Sequence, residues 1–186
     1  MKILLLIVIG GFILLKCNNN TEPKTDAKST DTTTTAVTSS EKIDYAYLPI
    51  NHEPDFWERG DQKNIAIVLN SLKGFETKNV DQALAPFADT VNWQVGNVDA
   101  KLSKDSLRSM FTHDLKNLAS VKIIMNDYES VISKDKKQEY VSLWYKQINT
   151  DMKGKIDSMI CMDDAKMVNG KIVELEEKTR ALGPKK

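Results

Sequence analysis

A chain of 186 residues with 26 basic and 26 acidic side chains has room for one ordinary domain plus appendages, and it lacks the basic surplus that marks a nucleic-acid partner. Its two cysteines and two histidines show no metal-ligand spacing, and neither a phosphate-cradling glycine loop nor a Gly-x-Ser-x-Gly elbow occurs. No metal and no cofactor is implied.

Met1 and Lys2 precede an apolar run, Ile3 to Leu15, broken only by Gly10 and Gly11. The run reads as the hydrophobic region of a secretory signal. It falls short of the roughly 17 to 25 residues that span a bilayer, although an uncleaved anchor is the alternative. The run ends in LLKCNNN, which resembles a bacterial lipoprotein signal. In that family the cysteine becomes the acylated first residue of the mature chain, and the residue before it is usually small; here it is Lys16. The resemblance implies that residues 1–16 are removed, that Cys17 carries lipid, and that the protein is exported and membrane-anchored in the bacterial cell envelope. An ordinary signal with an incidental cysteine is the competing reading. With Cys17 acylated only Cys161 remains, so no internal disulfide can form.

Residues 17–42 are nearly all Thr, Ser, Asn and charge of both signs, with too little apolar surface to offset the entropy of ordering. They read as a tether with a reach of roughly 25 to 30 Å. Residues 43–60, IDYAYLPINHEPDFWERG, form an aromatic strap in which Tyr45, Tyr47, Phe56 and Trp57 are expected to pack across the domain. The domain proper runs over 61–182. Asp61 caps a helix with Ile65, Val68, Leu69, Leu72 and Phe75 at helical spacing, and a shorter helix follows from about Asp81 through Leu84 to Phe87 and Ala88.

Within FADTVNWQVG the period changes to two, with Val91, Trp93 and Val95 on one face of a strand. Asp89 sits at that joint, where an acid commonly satisfies backbone donors in a tight turn. Ser103 caps a third helix whose stripe is Leu107, Met110, Phe111, Leu115 and Leu118. Four alternating segments follow: VKIIMNDYESVIS, QEYVSLWYKQINT, IDSMICMDDAKMV and KIVELEEKTRAL. Asn169-Gly170 between the last two is a two-residue hairpin signal, and 183–186 are a basic tail. Helices followed by a meander predict an α+β domain, three N-terminal helices packed on a curved antiparallel sheet.

This order of elements, with FADTVNW at the helix-to-strand joint and VNGKIVEL at the last hairpin, resembles the nuclear transport factor 2-like superfamily over roughly residues 61 to 181. That group includes SnoaL-like polyketide cyclases, ketosteroid isomerases and scytalone dehydratase. The mature chain also looks like exported members found in Bacteroidetes. The resemblance implies a cone-shaped α+β barrel with a pocket between helices and concave sheet face, and dimers formed through the sheet. It carries no catalytic residue onto this chain, because the aspartate base and oxyanion hole of ketosteroid isomerase have no matching motif here, and a shared fold does not settle chemistry.

Two acids interrupt apolar faces. Asp114 falls inside the stripe of the third helix, and Asp163 shares a strand face with Met159, Cys161, Ala165 and Met167. A buried carboxylate must be paired, protonated or in contact with a polar cavity. Trp93, Asp114, Tyr145 and Asp163 are therefore the candidate pocket, for a small apolar ligand, with Asp114 or Asp163 as a candidate proton shuttle. The bland alternative leaves both acids at a rim or bonded to backbone and tyrosine. A Cys161 and His113 dyad is the weaker idea, since a lone strand cysteine is ordinarily a small core residue. Tyr140, Trp144 and Ile148 on the opposite strand face could bury a homodimer contact. Three functions stay open: an anchored ligand-binding protein, a proton-transfer enzyme, and a dimeric accessory lipoprotein without ligand.

Overall fold

The computed structural model describes residues 43–183. The signal at 1–16, Cys17, the 17–42 tether and residues 184–186 of the basic tail lie outside the described residues.

Asp61 opens α1 (Gln62–Glu76) by accepting a hydrogen bond from the Lys63 amide at 2.8 Å. Ile65 and Val68 on its inner stripe are buried. Asn79 caps α2 (Val80–Leu84) in the same way through the Gln82 amide at 3.0 Å. The two helices touch backbone to backbone: a Cβ placed on Gly74 would stand 2.3 Å from the Ala83 nitrogen.

The chain becomes extended earlier than its period suggests, because β2 runs over Phe87–Val95. Phe87, Ala88 and Asp89 are thus strand rather than helix end, and Asp89 is an exposed strand residue, not the acid of a tight turn. The cause is tertiary: the Ile172 amide donates to the Pro86 carbonyl at 2.9 Å and pulls the segment into the sheet. Gly96, at φ +63, turns β2 into the mostly exposed edge strand β3 (Val98–Ser103). Ser103 then caps α3 (Lys104–Lys116) through the Ser106 amide at 3.1 Å. Two helices, a hairpin and a third helix thus precede the meander; the pattern predicts the strand before α3 but not its hairpin partner β3.

The meander is β4 (Leu118–Ser133), β5 (Glu139–Asp151), β6 (Ile156–Val168) and β7 (Lys171–Ala181). Asn169 and Gly170 both take positive φ, 51° and 71°, as a two-residue hairpin of primed type demands. A short first strand, β1 (Trp57–Arg59), pairs with β4, and the seven strands run β1-β4-β5-β6-β7-β2-β3. The sheet is mixed rather than antiparallel: β2 runs parallel to β7. The strand order explains why. β1 and β2 lie toward opposite edges, so α1 and α2 must carry the chain from one to the other, and β2 arrives alongside the last strand in the same direction. Irregular pairings between Met125 and Asp127 and between Lys166 and Met167 bend the sheet. Leu84, Phe87, Val91, Trp93, Leu107, Leu143 and Ile172 fill the space between helices and sheet.

Only part of the aromatic strap packs. His52 stacks on Phe56 at 4.7 Å between ring centroids, and Trp57 meets Tyr140 edge-on at 5.8 Å. Tyr45 and Tyr47 lie outside any strand and stay exposed, Tyr47 at 92%.

Candidate functional site

A cavity of about 330 Å³ lies between α1, α3 and the inner faces of β2, β5, β6 and β7. Its walls are mostly apolar. From the helices come Val68, Leu72, Phe75, Met110 and Phe111; from the sheet come Phe87, Trp93, Leu143, Ile172 and Leu175. Three of the rings form a chain of edge-on contacts, Phe75 to Phe111 at 5.5 Å and Phe111 to Trp93 at 5.7 Å. Trp93 is 5% exposed, so it is at once a core side chain and cavity wall.

One polar cluster interrupts this surface. Asp163 on β6 faces Leu143 on β5 and Glu177 on β7, its direct cross-strand neighbours. The Tyr145 hydroxyl donates to Asp163 Oδ2 at 2.9 Å and reaches Glu177 Oε2 at 3.5 Å. Asp163 is 6% exposed, and its other oxygen, Oδ1, is buried without a hydrogen-bond partner among the described residues. Burial and the neighbouring Glu177 carboxylate push the Asp163 carboxyl up to about 8, against a smaller downward pull from the tyrosine hydrogen bond. Burial likewise raises Glu177. Tyr145 is held well above its ordinary value by burial and then by the two acids. The group can therefore hold a proton at neutral pH on a carboxyl that lines a cavity, the condition for giving or taking a proton near pH 7.

The four predicted pocket residues, Trp93, Asp114, Tyr145 and Asp163, all line this cavity, but not equivalently. Asp114 is a rim residue and not a buried acid: its side chain is 64% exposed and accepts from or pairs with His113 Nδ1 at 3.1 Å. The helical stripe that contains it splits in two. Leu107 and Leu115 are buried in the core, while Met110, Phe111 and Asp114 border the cavity. Cys161 and His113 form no dyad. The cysteine is fully buried on β6, its thiol pushed up to about 12 by burial first and then by the two acids, whereas His113 is exposed on α3.

Glu177 escapes the sequence pattern. Counting back from the Asn169-Gly170 hairpin in unbroken register would place Glu176 opposite Asp163. An irregularity pairs Lys166 with Glu174 and Met167 with Ile172, leaving Val173 over, so the inward face passes from Ile172 to Leu175 and Glu177. Gln147, another polar lining residue, was legible in principle as the next inward position after Tyr145.

No protein-family model and no curated protein sequence matches the chain. Solved structures do match in shape. A nuclear transport factor 2-like protein of unknown function from Burkholderia pseudomallei is 15% identical, with a TM-score of 0.54 over 64% of this chain and 92% of that one. TerC, co-crystallised with polyporic acid, is 16% identical with a TM-score of 0.51 over 63% and 91%. A candidate polyketide cyclase from a Silicibacter species is 12% identical with a TM-score of 0.50 over 64% and 90%. Likeness at this identity speaks to architecture alone: the chain has the nuclear transport factor 2-like fold.

Proposed function

We propose that this is an exported protein, anchored in the cell envelope through lipid on Cys17, that binds a small and largely apolar molecule in the cavity between its helices and sheet. One observation carries the binding reading: a buried carboxyl, one oxygen of which has no partner among the described residues, stands in a mostly apolar cavity wall. Such a group costs stability unless something completes its hydrogen bonding, and a ligand is the economical partner. The co-crystallisation of TerC with polyporic acid supports the idea that this fold can be used that way. Nile red, a neutral apolar dye, should bind the chain at a single site with a blue-shifted emission. Val95→Phe adds bulk to the cavity wall and should remove that binding while leaving the circular dichroism unchanged. Equal binding by wild type and variant puts the dye, and the proposed site, elsewhere.

Proton transfer on a bound substrate is the second reading, favoured by the same carboxyl staying protonated near neutral pH. Under that reading Asp163→Asn retains ligand and loses turnover. A non-enzymatic, dimeric role draws support from the outer sheet face, where Trp144 and Met162 are half-buried and Ile124 is 42% exposed. Ile124→Glu should then convert the dimer to monomer in sedimentation, and a wild type that sediments as monomer ends that idea.

A further inference from the structure

The charge on the cavity wall is one-sided. Three carboxyl groups line it, Asp163 and Glu177 deep on the sheet and Asp114 at the rim, and among the described residues no lysine, arginine or histidine does. Phe75, Trp93 and Phe111 supply ring surfaces whose electron-rich faces attract cations. A neutral or anionic ligand leaves this surplus unanswered. Neither protonation state of Asp163 satisfies Oδ1 among the described residues: ionised it lacks a donor, and protonated there it lacks an acceptor. An ammonium group supplies a donor and a charge together.

We propose that the cavity's ligand is an apolar amine, bound in its protonated form between the aromatic rings and the Asp163 and Glu177 carboxylates. The inference rests on the pocket reading above and names the ligand class for it. Binding is then coupled to ionisation. Asp163 faces Tyr145 and Leu143 on β5, Glu177 on β7 and Cys161 on its own strand; Asp164, beside it in sequence, turns to the other face, where Lys178 stands 3.8 Å away, and Asp114 is the lining acid from the helices. Among the described residues no cation lines the cavity beside it, and only the Tyr145 hydrogen bond favours the carboxylate, so the acid titrates near 8. An arriving cation reverses that balance and expels a proton. Apparent affinity should therefore climb by up to about tenfold per pH unit below pH 8 and level off above it. A primary amine stays charged throughout, since its own pKa lies near about 10.

Three probes of one shape test this on the full-length chain: 3-phenylpropylamine, 3-phenylpropanol and 3-phenylpropionate, titrated calorimetrically between pH 6 and 9. The amine should bind at least about tenfold tighter than the alcohol at pH 8, and the acid more weakly than either. At pH 7, phosphate and Tris buffers should report close to one proton released per amine bound. Asp163→Asn and Glu177→Gln should each weaken the amine about tenfold and leave the alcohol within about twofold. An alcohol that binds as tightly as the amine, with affinity flat or falling as pH rises, overturns the cation assignment and keeps the apolar pocket. An amine affinity indifferent to both substitutions also overturns it. Binding by none of the three at millimolar concentration overturns the pocket reading as well.

Discussion

An aspartate in an unfolded chain loses its proton near pH 3.8, whereas Asp163 in the fold keeps its proton to about pH 8. Between those values the folded state binds one proton more than the unfolded state, so each pH unit upward lowers stability, by at most about 1.4 kcal/mol. The sign is opposite to that of a salt-bridged carboxylate. Asp163→Asn removes the ionisation and keeps the shape, so the variant should match wild type in denaturant midpoint only below about pH 4, with a lead that grows from there to pH 8. Parallel pH profiles for the two proteins would falsify the placement of a protonated acid here. Cys161, fully buried with its thiol pushed up to about 12, offers almost no thiolate at neutral pH. In a Cys17→Ser chain it should react with a disulfide reagent only as fast as the protein opens, and rapid labelling of the native state would place it at the surface. Trp93→Ala should cost roughly 3 to 5 kcal/mol, read as a lowered denaturant midpoint, because it empties a core position between Phe87 and Phe111. At this scale the sequence speaks through periodicity. Asp163 and Tyr145 were legible because their strands alternate without a break around them. Glu177 was not, because one surplus residue in a strand reverses every side chain beyond it. Asp114 was placed on the correct stripe, but periodicity cannot say whether a stripe ends on packed core or on open space.

Helix caps and tight turns were the most legible elements, since a few neighbouring residues determine them: Asp61, Ser103 and the Asn169-Gly170 pair all act as their chemistry requires. The two short edge strands were hidden. β1 has three residues and β3 is exposed almost throughout, so neither buries enough apolar surface to leave an alternating trace. Gly74 shows how a helix contact can hang on one missing carbon. Its neighbour across the α1–α2 junction is backbone at 2.3 Å from a built Cβ, and backbone cannot rotate aside as a side chain can. Gly74→Ala should cost about 1 to 3 kcal/mol despite alanine's better helix propensity, measured by thermal unfolding. Gly96→Ala meets no atom within 4 Å and should cost only the strain of its φ of +63°, about 1 kcal/mol. Similar losses at the two positions would argue that α1 and α2 are less closely apposed.

The chain as a whole joins a domain to a proposed lipid anchor, and the two parts call for separate tests. Cys17→Ser should move the protein from the membrane fraction to the soluble one. Equal partitioning of variant and wild type removes the anchor and leaves the cavity untouched. The overall α+β class could be read from the order of helical and alternating segments, but the parallel seam between β2 and β7 could not, because no local pattern records which distant strand will be a neighbour.

That seam has a temporal consequence. Asn92 on β2 and Glu174 on β7, hydrogen-bonded across it, stand 82 residues apart in sequence. One wall of the cavity is therefore synthesised early and another nearly last, and Trp93 acquires its strand partner Leu175 only when the end of the domain emerges. A pairing this distant closes slowly, on the scale of milliseconds to seconds, and leaves the apolar side of β2 exposed in the meantime. Refolding followed by tryptophan emission should show binding competence arriving with the slowest phase. A nascent chain stopped before Lys171 should have neither a closed sheet nor a receptor for any ligand, so premature termination yields an aggregation-prone fragment instead of a weakened binder.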